Sequence, residues 1–142
     1  MDDWKRGFSE RLRHVQSRWV KQFEDTLDND FVPAYDDLAG FLRNHGFTAC
    51  MPLRVEGRRS FKFELAENAY LLLIVRAIGI GDFELRTESF APGCEPRLNK
   101  ATERVADVNA EWARRRFQQT LDEFVEHLGG AQVPAEEALV AV

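Results

Sequence analysis

The amino-acid sequence predicts an α+β protein with two N-terminal helices, a four-stranded antiparallel meander sheet and a long C-terminal helix. Apolar residues recur every three or four positions near both ends, and they alternate with polar residues in the middle. Short turn sequences separate the alternating segments. The 142 residues, 44% of them apolar, have the size of one domain. We therefore expect a single domain at residues 1–130 and a flexible C-terminal tail at 131–142.

The first predicted helix carries one heavy apolar stripe. Its members are spaced by three or four residues: Trp4, Phe8, Leu12, Val15, Trp19, Phe23 and Leu27. Such a helix is not stable alone in water, so we expect the stripe to pack against another surface. Residues 28–30 interrupt the pattern, and Pro33 suits the first turn of a second helix. The buried side of that helix is predicted to contain Tyr35, Leu38, Phe41 and Leu42, and Gly46 suits its end.

Residues 47–89 predict the four strands, with turns at 56–58, 67–68 and 78–81. Pairing the strands through these turns places one set of apolar residues on the core side: Leu53, Phe61, Phe63, Tyr70, Leu72, Ile74, Phe83 and Leu85. A loop rich in proline and glycine follows at 91–96. The last helix is predicted from about Arg97 to Leu128, with a core face that includes Trp112, Phe117 and Phe124.

The outer face of this sheet is the predicted functional surface. The third strand places three branched apolar residues there: Leu71, Leu73 and Val75. Charged residues of the neighbouring strands form the rim: Lys62, Arg86 and Glu88. An apolar stripe with a charged rim is typical of an interface, although Lys and Arg stems or a packed helix can also cover such a stripe. The sequence thus predicts a non-catalytic protein-interaction module, a homodimer or an adaptor.

A small-ligand-binding protein or an enzyme is the alternative function. In the predicted register Arg76 faces the core side near the sheet edge, so its pocket would lie between the sheet and the helices. No catalytic, cofactor-binding or metal-binding residue is predicted, because the histidines lie on separate elements and form no ligand motif. They are His14, His45 and His127, of which the first and last are expected at the surface. Cys50 and Cys94 are expected to be small apolar filler.

Charge and hydropathy exclude several classes of partner. A net charge of −5 and a pI near 5.3 argue against nucleic-acid binding. The basic cluster at 114–116 would fan around a helix instead of forming one patch. The longest apolar run, residues 69–75, is too short to span a membrane, and the N-terminal residues lack the apolar region of a signal peptide. We expect a cytoplasmic protein with a second copy or another protein as its partner.

Overall fold

The N-terminal region is helical without a break in the computed structural model, which describes residues 2–49, 52–55 and 57–130. Helix α1 (Asp2–Thr26) runs into a π-helical turn (Leu27–Phe31), which runs into α2 (Val32–Arg43). The interruption predicted at 28–30 is therefore a wider helical turn and not a loop. It holds Leu27 and Phe31 in the core while Asp28 and Asn29 stay exposed.

A single antiparallel sheet follows the helices. Its strands are β1 (Thr48–Ala49), β2 (Leu53–Val55), β3 (Arg58–Ala66), β4 (Ala69–Gly79), β5 (Asp82–Phe90) and β6 (Arg97–Arg104). The order across the sheet is β1-β3-β4-β5-β6, and β2 also pairs with β3. A 3₁₀ turn (Val105–Asp107) and helix α3 (Ala110–Gly129) complete the described chain. The α+β class is confirmed, and the sheet is larger than the four strands predicted.

Strand β6 replaces the first turns of the predicted C-terminal helix. Residues 97–104 pair with β5 along its whole length and cover an edge that would otherwise be open. The helix begins after Asn109, whose side chain accepts a hydrogen bond of 2.8 Å from the backbone N–H of Trp112. An asparagine N-cap of this kind satisfies a backbone donor that has no partner inside the helix. Helix α3 is therefore shorter than predicted.

A β-bulge between Glu64 and Ala66 sets which residues face the core. The turn at 67–68 lies where the sequence predicts it, with Ala66 opposite Ala69. Beyond the bulge the register shifts by one, so that Phe63 lies opposite Leu71 and Phe61 opposite Leu73. A shift of one residue turns every side chain of a strand to the other face. The predicted assignment of the two faces of β4 is therefore reversed.

Helices α2 and α3, the π-helical turn and the last turn of α1 pack on the inner face of the sheet. The core joins helical and strand residues, the largest of which are Tyr35, Phe31, Phe61, Phe63, Phe83, Phe117 and Phe124. Burial of Phe83, Leu85, Phe117 and Phe124 agrees with the sequence prediction. Phe41 and Leu53 were expected inside but are exposed, because α2 turns Phe41 toward solvent and β2 lies at the sheet edge.

Candidate functional site

The sheet residues predicted as an interface lie on two different sides. Leu71, Leu73 and Val75 are at most 1% exposed and pack in the core, so the prediction that they form a contact surface is wrong. The prediction failed because the bulge in β3 shifts the register with β4 by one residue. The rim residues do lie on the outer face and are partly exposed: Lys62, Arg86 and Glu88.

Another apolar row takes the outer position on β4. It consists of Tyr70, Leu72 and Ile74, all of which are half-buried. The charged groups beside it neutralise one another within each strand, in the pairs Lys62–Glu64 (2.9 Å) and Arg86–Glu88 (3.2 Å). The ammonium group of Lys62 also lies 4.5 Å from the ring centre of Tyr70. The outer face is thus largely covered by its own side chains.

Arg76 does not face the core. The same register shift turns it to the outer side, where it is exposed and its guanidinium lies 3.4 Å from the carboxylate of Glu84. The predicted core-side orientation of Arg76 is therefore wrong. A cleft does exist between α1 and this end of the sheet, and Ala77 lines it, but Arg76 does not.

Helix α1 carries a row of exposed large apolar side chains. From Asp2 to Gln22 every side chain is exposed, and Gly7 alone is partly covered. Five of these side chains form what we call the α1 stripe: Trp4 (62% exposed), Phe8 (45%), Leu12 (43%), Val15 (38%) and Trp19 (38%). Trp4 and Phe8 stack on each other with ring centres 5.2 Å apart. The stripe was expected to be buried, but only its continuation at Phe23 and Leu27 reaches the core.

The α1 stripe ends at a cleft of about 390 Å³, here called the Trp19 cleft. One wall is α1, through Gln16, Trp19 and Val20, and the other is the tip of the β4–β5 hairpin, with Ile80 and Gly81. Gly81 has a positive φ of 76°, which the tight turn requires, and a Cβ there would approach the Trp19 ring to 3.2 Å. Glycine at this position therefore permits the close approach of hairpin and helix. The cleft is lined mainly by apolar groups.

Ion pairs hold the end of α1 to the sheet. Arg59 projects from β3 into the core side with only 4% of its side chain exposed. Its guanidinium contacts Asp28 at 2.9 Å and Glu24 at 3.1 Å. Arg54 adds a longer, exposed contact to Glu24 at 3.5 Å. Because a buried arginine needs charged partners, these contacts set where α1 leaves the body of the domain.

A buried polar pair lies at the other end of the molecule. The Ser89 hydroxyl is 2.7 Å from Nδ1 of His127, and Nε2 of the same ring is 3.1 Å from the carbonyl oxygen of Glu95. His127 was expected at the surface but is buried, since α3 turns it toward β5. The arrangement assigns the imidazole proton to Nε2, which donates to the carbonyl, while Nδ1 accepts from the serine. Each ring nitrogen is thus used in joining α3 to the sheet and to the loop before β6.

The described residues contain no group of three or more histidine, cysteine or carboxylate side chains placed to hold a metal ion. Cys94 is a free thiol whose sulfur donates to the carbonyl oxygen of Gly130, while Cys50 lies outside the described residues. Among the helices of this part of the chain, none combines the length and apolar character needed to cross a membrane.

The sequence predicted the apolar α1 stripe and its need to pack against another surface, but it did not identify the stripe as a candidate functional surface. The sequence predicted no role for Ser89 or Arg59, because a single serine and a single arginine on strands form no recognisable motif. No protein-family model, curated protein or solved structure matches this chain.

Proposed function

We propose that this chain is a non-catalytic protein-interaction module and that the exposed half of α1 is its docking element. The observation that carries the proposal is the α1 stripe, which leaves two tryptophans and a phenylalanine in solvent on one side of a 25-residue helix. Large aromatic side chains supply most of the binding energy at many protein interfaces. Contiguous exposed apolar surface on a small protein marks a site of interaction.

The helical state of this segment also favours a partner. Within residues 2–22 the Trp19 ring contacts the β4–β5 hairpin, but no side chain is fully buried, so most of this helix gains little from tertiary packing. Helices in proteins gain most of their stability from the packing of their apolar face. A partner that covers the α1 stripe would stabilise the helix and remove the apolar side chains from water.

The outer face of the sheet is the weaker candidate surface. Its apolar row is half-buried, and its charges are paired within each strand. A partner docking there would first have to displace those ion pairs. The interaction therefore fits α1 better than the sheet face that the sequence suggested.

Binding of a small ligand is the runner-up function, with the Trp19 cleft as its site. Ligand sites combine apolar walls with a few polar groups that converge on the ligand. Here the polar lining consists of Gln16, Glu24 and Asp82, and Glu24 is already paired with Arg59. The cleft thus resembles a socket for an apolar side chain more than a site for a polar metabolite.

Site-specific photo-crosslinking tests the proposed module. A benzophenone amino acid replaces Phe8 on the stripe, and in a matched variant it replaces Glu10, which projects from the opposite side of the same exposed helix. Illumination of expressing cells and of the purified chain should give discrete crosslinked products at position 8 and several-fold less at position 10. Equal yields at the two positions, or no product at position 8, would overturn the proposal.

A further inference from the structure

We infer that the partner of the α1 stripe is a second copy of this chain, lying antiparallel, with Trp4 of each copy seated in the Trp19 cleft of the other. This inference rests on the proposed function and names the partner of the same surface. It joins two observations: an unpartnered aromatic stripe, and an apolar socket at the far end of that stripe.

The spacing of the α1 stripe is nearly self-complementary. Trp4 and Trp19 lie at equal distances from the midpoint between Arg11 and Leu12, on opposite sides of it. Phe8 and Val15 are likewise equidistant from this midpoint. Two such helices related by a twofold axis therefore place Trp4 beside Trp19 and Phe8 beside Val15. The two Leu12 side chains meet at the axis. Homodimers with this twofold symmetry are the commonest oligomers, and each surface in them must complement itself.

The Trp19 cleft lies where the antiparallel arrangement needs a socket. Trp4 and Trp19 are about 22 Å apart along the helix, so Trp4 of the second copy reaches the level of the cleft at the opposite end. An enclosed cavity of about 150 Å³ already holds a benzene ring. A cleft of about 390 Å³ accordingly has room for an indole. Ile80 stands at its rim, 68% exposed, and would be covered by the incoming ring.

The direction of the pair follows from the spacing of the stripe more than from charge. In the antiparallel register Asp2 of one copy lies level with Lys21 of the other, but Lys5 lies level with Arg18, so attractive and repulsive pairs largely offset one another. A parallel pair would instead place every charged residue level with its own copy, so that like charges lie side by side. The helix dipoles also favour the antiparallel direction.

The area available is sufficient for a modest dimer. Applying the exposed fractions of the stripe and Val20 to ~150–250 Å² per large side chain gives on the order of 600 Å² of apolar surface per copy. The total for two copies, roughly 1,200 Å², reaches the lower end of stable specific interfaces. We therefore expect a dimer with a micromolar dissociation constant.

Sedimentation velocity of the full chain tests the second copy directly. The unaltered protein should sediment as a dimer at 100 µM and dissociate on dilution. Phe8→Asp should raise the dissociation constant at least 100-fold, whereas Val125→Asp, at a still more exposed position on α3, should leave it unchanged. A protein that stays monomeric at 200 µM overturns the inference.

Matched isoleucine variants test the socket. Ile80 lines the cleft, while Ile78, two residues earlier on the same hairpin, does not. Ile80→Asp should weaken the dimer at least tenfold, and Ile78→Asp should change its dissociation constant less than twofold. Equal weakening by the two variants would exclude occupancy of the cleft by Trp4.

Disulfide pairing tests the direction and the register. Both natural cysteines are first removed by Cys50→Ser and Cys94→Ser. Phe8→Cys and Val15→Cys are then introduced into separate chains, one of which carries a longer tag. Each chain is oxidised by itself, and the two are also oxidised as a mixture. The antiparallel register predicts a mixed disulfide only, because like positions lie about seven residues apart along the helices and beyond disulfide reach. Disulfides between identical chains, or none in the mixture, would overturn the arrangement.

These outcomes separate the inference from the proposed function. If the chain is monomeric and position 8 still crosslinks strongly to a different protein, the homodimer is excluded and the proposed interaction module is supported. Equal crosslinking at positions 8 and 10 removes the module itself. A dimer that survives Phe8→Asp places self-association on another surface and contradicts the inference, while the crosslinking at positions 8 and 10 still decides the proposed function.

Discussion

Arg59 and Asp28 form an ion pair in which the two groups lie 2.9 Å apart, the arginine buried in the core side and the aspartate half-exposed. Glu24, one turn earlier in the helical region, shares the same guanidinium at 3.1 Å. Phe23 and Leu27 lie beside these carboxylates in sequence and enter the core. On the N-terminal side of this junction α1 contacts the hairpin through Trp19, and most of its other side chains are exposed. The geometry of the junction therefore determines how the α1 stripe is presented to a partner.

Removing the two carboxylates should destabilise the domain because the Arg59 charge would stay buried without a partner. For Glu24→Gln combined with Asp28→Asn we expect a loss of about 2–4 kcal/mol, near the lower end for broken buried pairs because Asp28 is half-exposed. Urea unfolding followed by circular dichroism measures the loss. Asp25→Asn, which breaks the exposed contact to Lys21, should cost less than about 0.5 kcal/mol. Equal losses in the two proteins would contradict this assignment.

The Ser89–His127 hydrogen bond should show energetic coupling. His127→Leu leaves the buried Ser89 hydroxyl and the Glu95 carbonyl without their partner, which should cost about 2–3 kcal/mol. Adding Ser89→Ala removes one of these unpaired groups, so the double variant should lose about 1 kcal/mol less than the sum of the single variants. A double-mutant cycle in guanidinium chloride gives the coupling. Simple additivity would mean that the bond contributes nothing measurable.

The same substitution at neighbouring residues of β4 should destabilise the protein to very different extents. Leu73 is 1% exposed and Ile74 is half-buried on the outer face. Leu73→Asp places a charge in the apolar core and should abolish folding, whereas Ile74→Asp should cost no more than about 1.5 kcal/mol. Far-UV circular dichroism and thermal unfolding distinguish the two. A folded Leu73→Asp protein with an unfolded Ile74→Asp protein would mean that the faces are assigned the wrong way round.

The reversal of these two faces shows what periodicity predicts and what it misses. Alternation identified β3 and β5, because a half-buried sheet imposes a period of two, and an apolar run between two turns identified β4. Residues 69–75 of β4 are all apolar, however, so alternation along them does not choose a face. That choice depended on the register with β3, and the bulge next to Leu65 changed the register by one. No residue type in the segment marks such a bulge.

The α1 stripe shows the complementary error. The spacing predicted the helix and its apolar side correctly, because a helix repeats every 3.6 residues. It could not predict where the stripe would be covered, since burial inside a domain and burial against a partner require the same pattern. Length gives no answer either, because a 25-residue helix is about 37 Å long and the 11-residue strand β4 spans about 36 Å.

Strand β6 was missed for a different reason. Residues 97–104 are mostly polar, and an exposed edge strand alternates too weakly to be told from the first turns of a polar helix. Asn109 was the residue that could have indicated the boundary, because a helix begins at the residue after its N-cap. Pairing with β5 then decides the conformation of the segment, through backbone hydrogen bonds that no side-chain pattern encodes.

Asp30, in the π-helical turn, should make stability depend weakly on pH. Burial raises the pKa of its carboxyl above the ordinary value of 3.8, so the folded state favours the protonated form. Stability from this group is therefore present in full below pH 3.8 and is lost as the pH rises through the folded-state pKa. At pH 7 the ionised carboxylate costs stability, and Asp30→Asn should recover roughly a few tenths of a kcal/mol, since the group is partly solvated. Calorimetric melting temperatures from pH 3 to pH 7 should show the variant gaining on the natural protein only toward the upper end. A gain that instead grows toward pH 3 would mean that the native environment favours the charged carboxylate, and the partial burial of Asp30 would not control its titration.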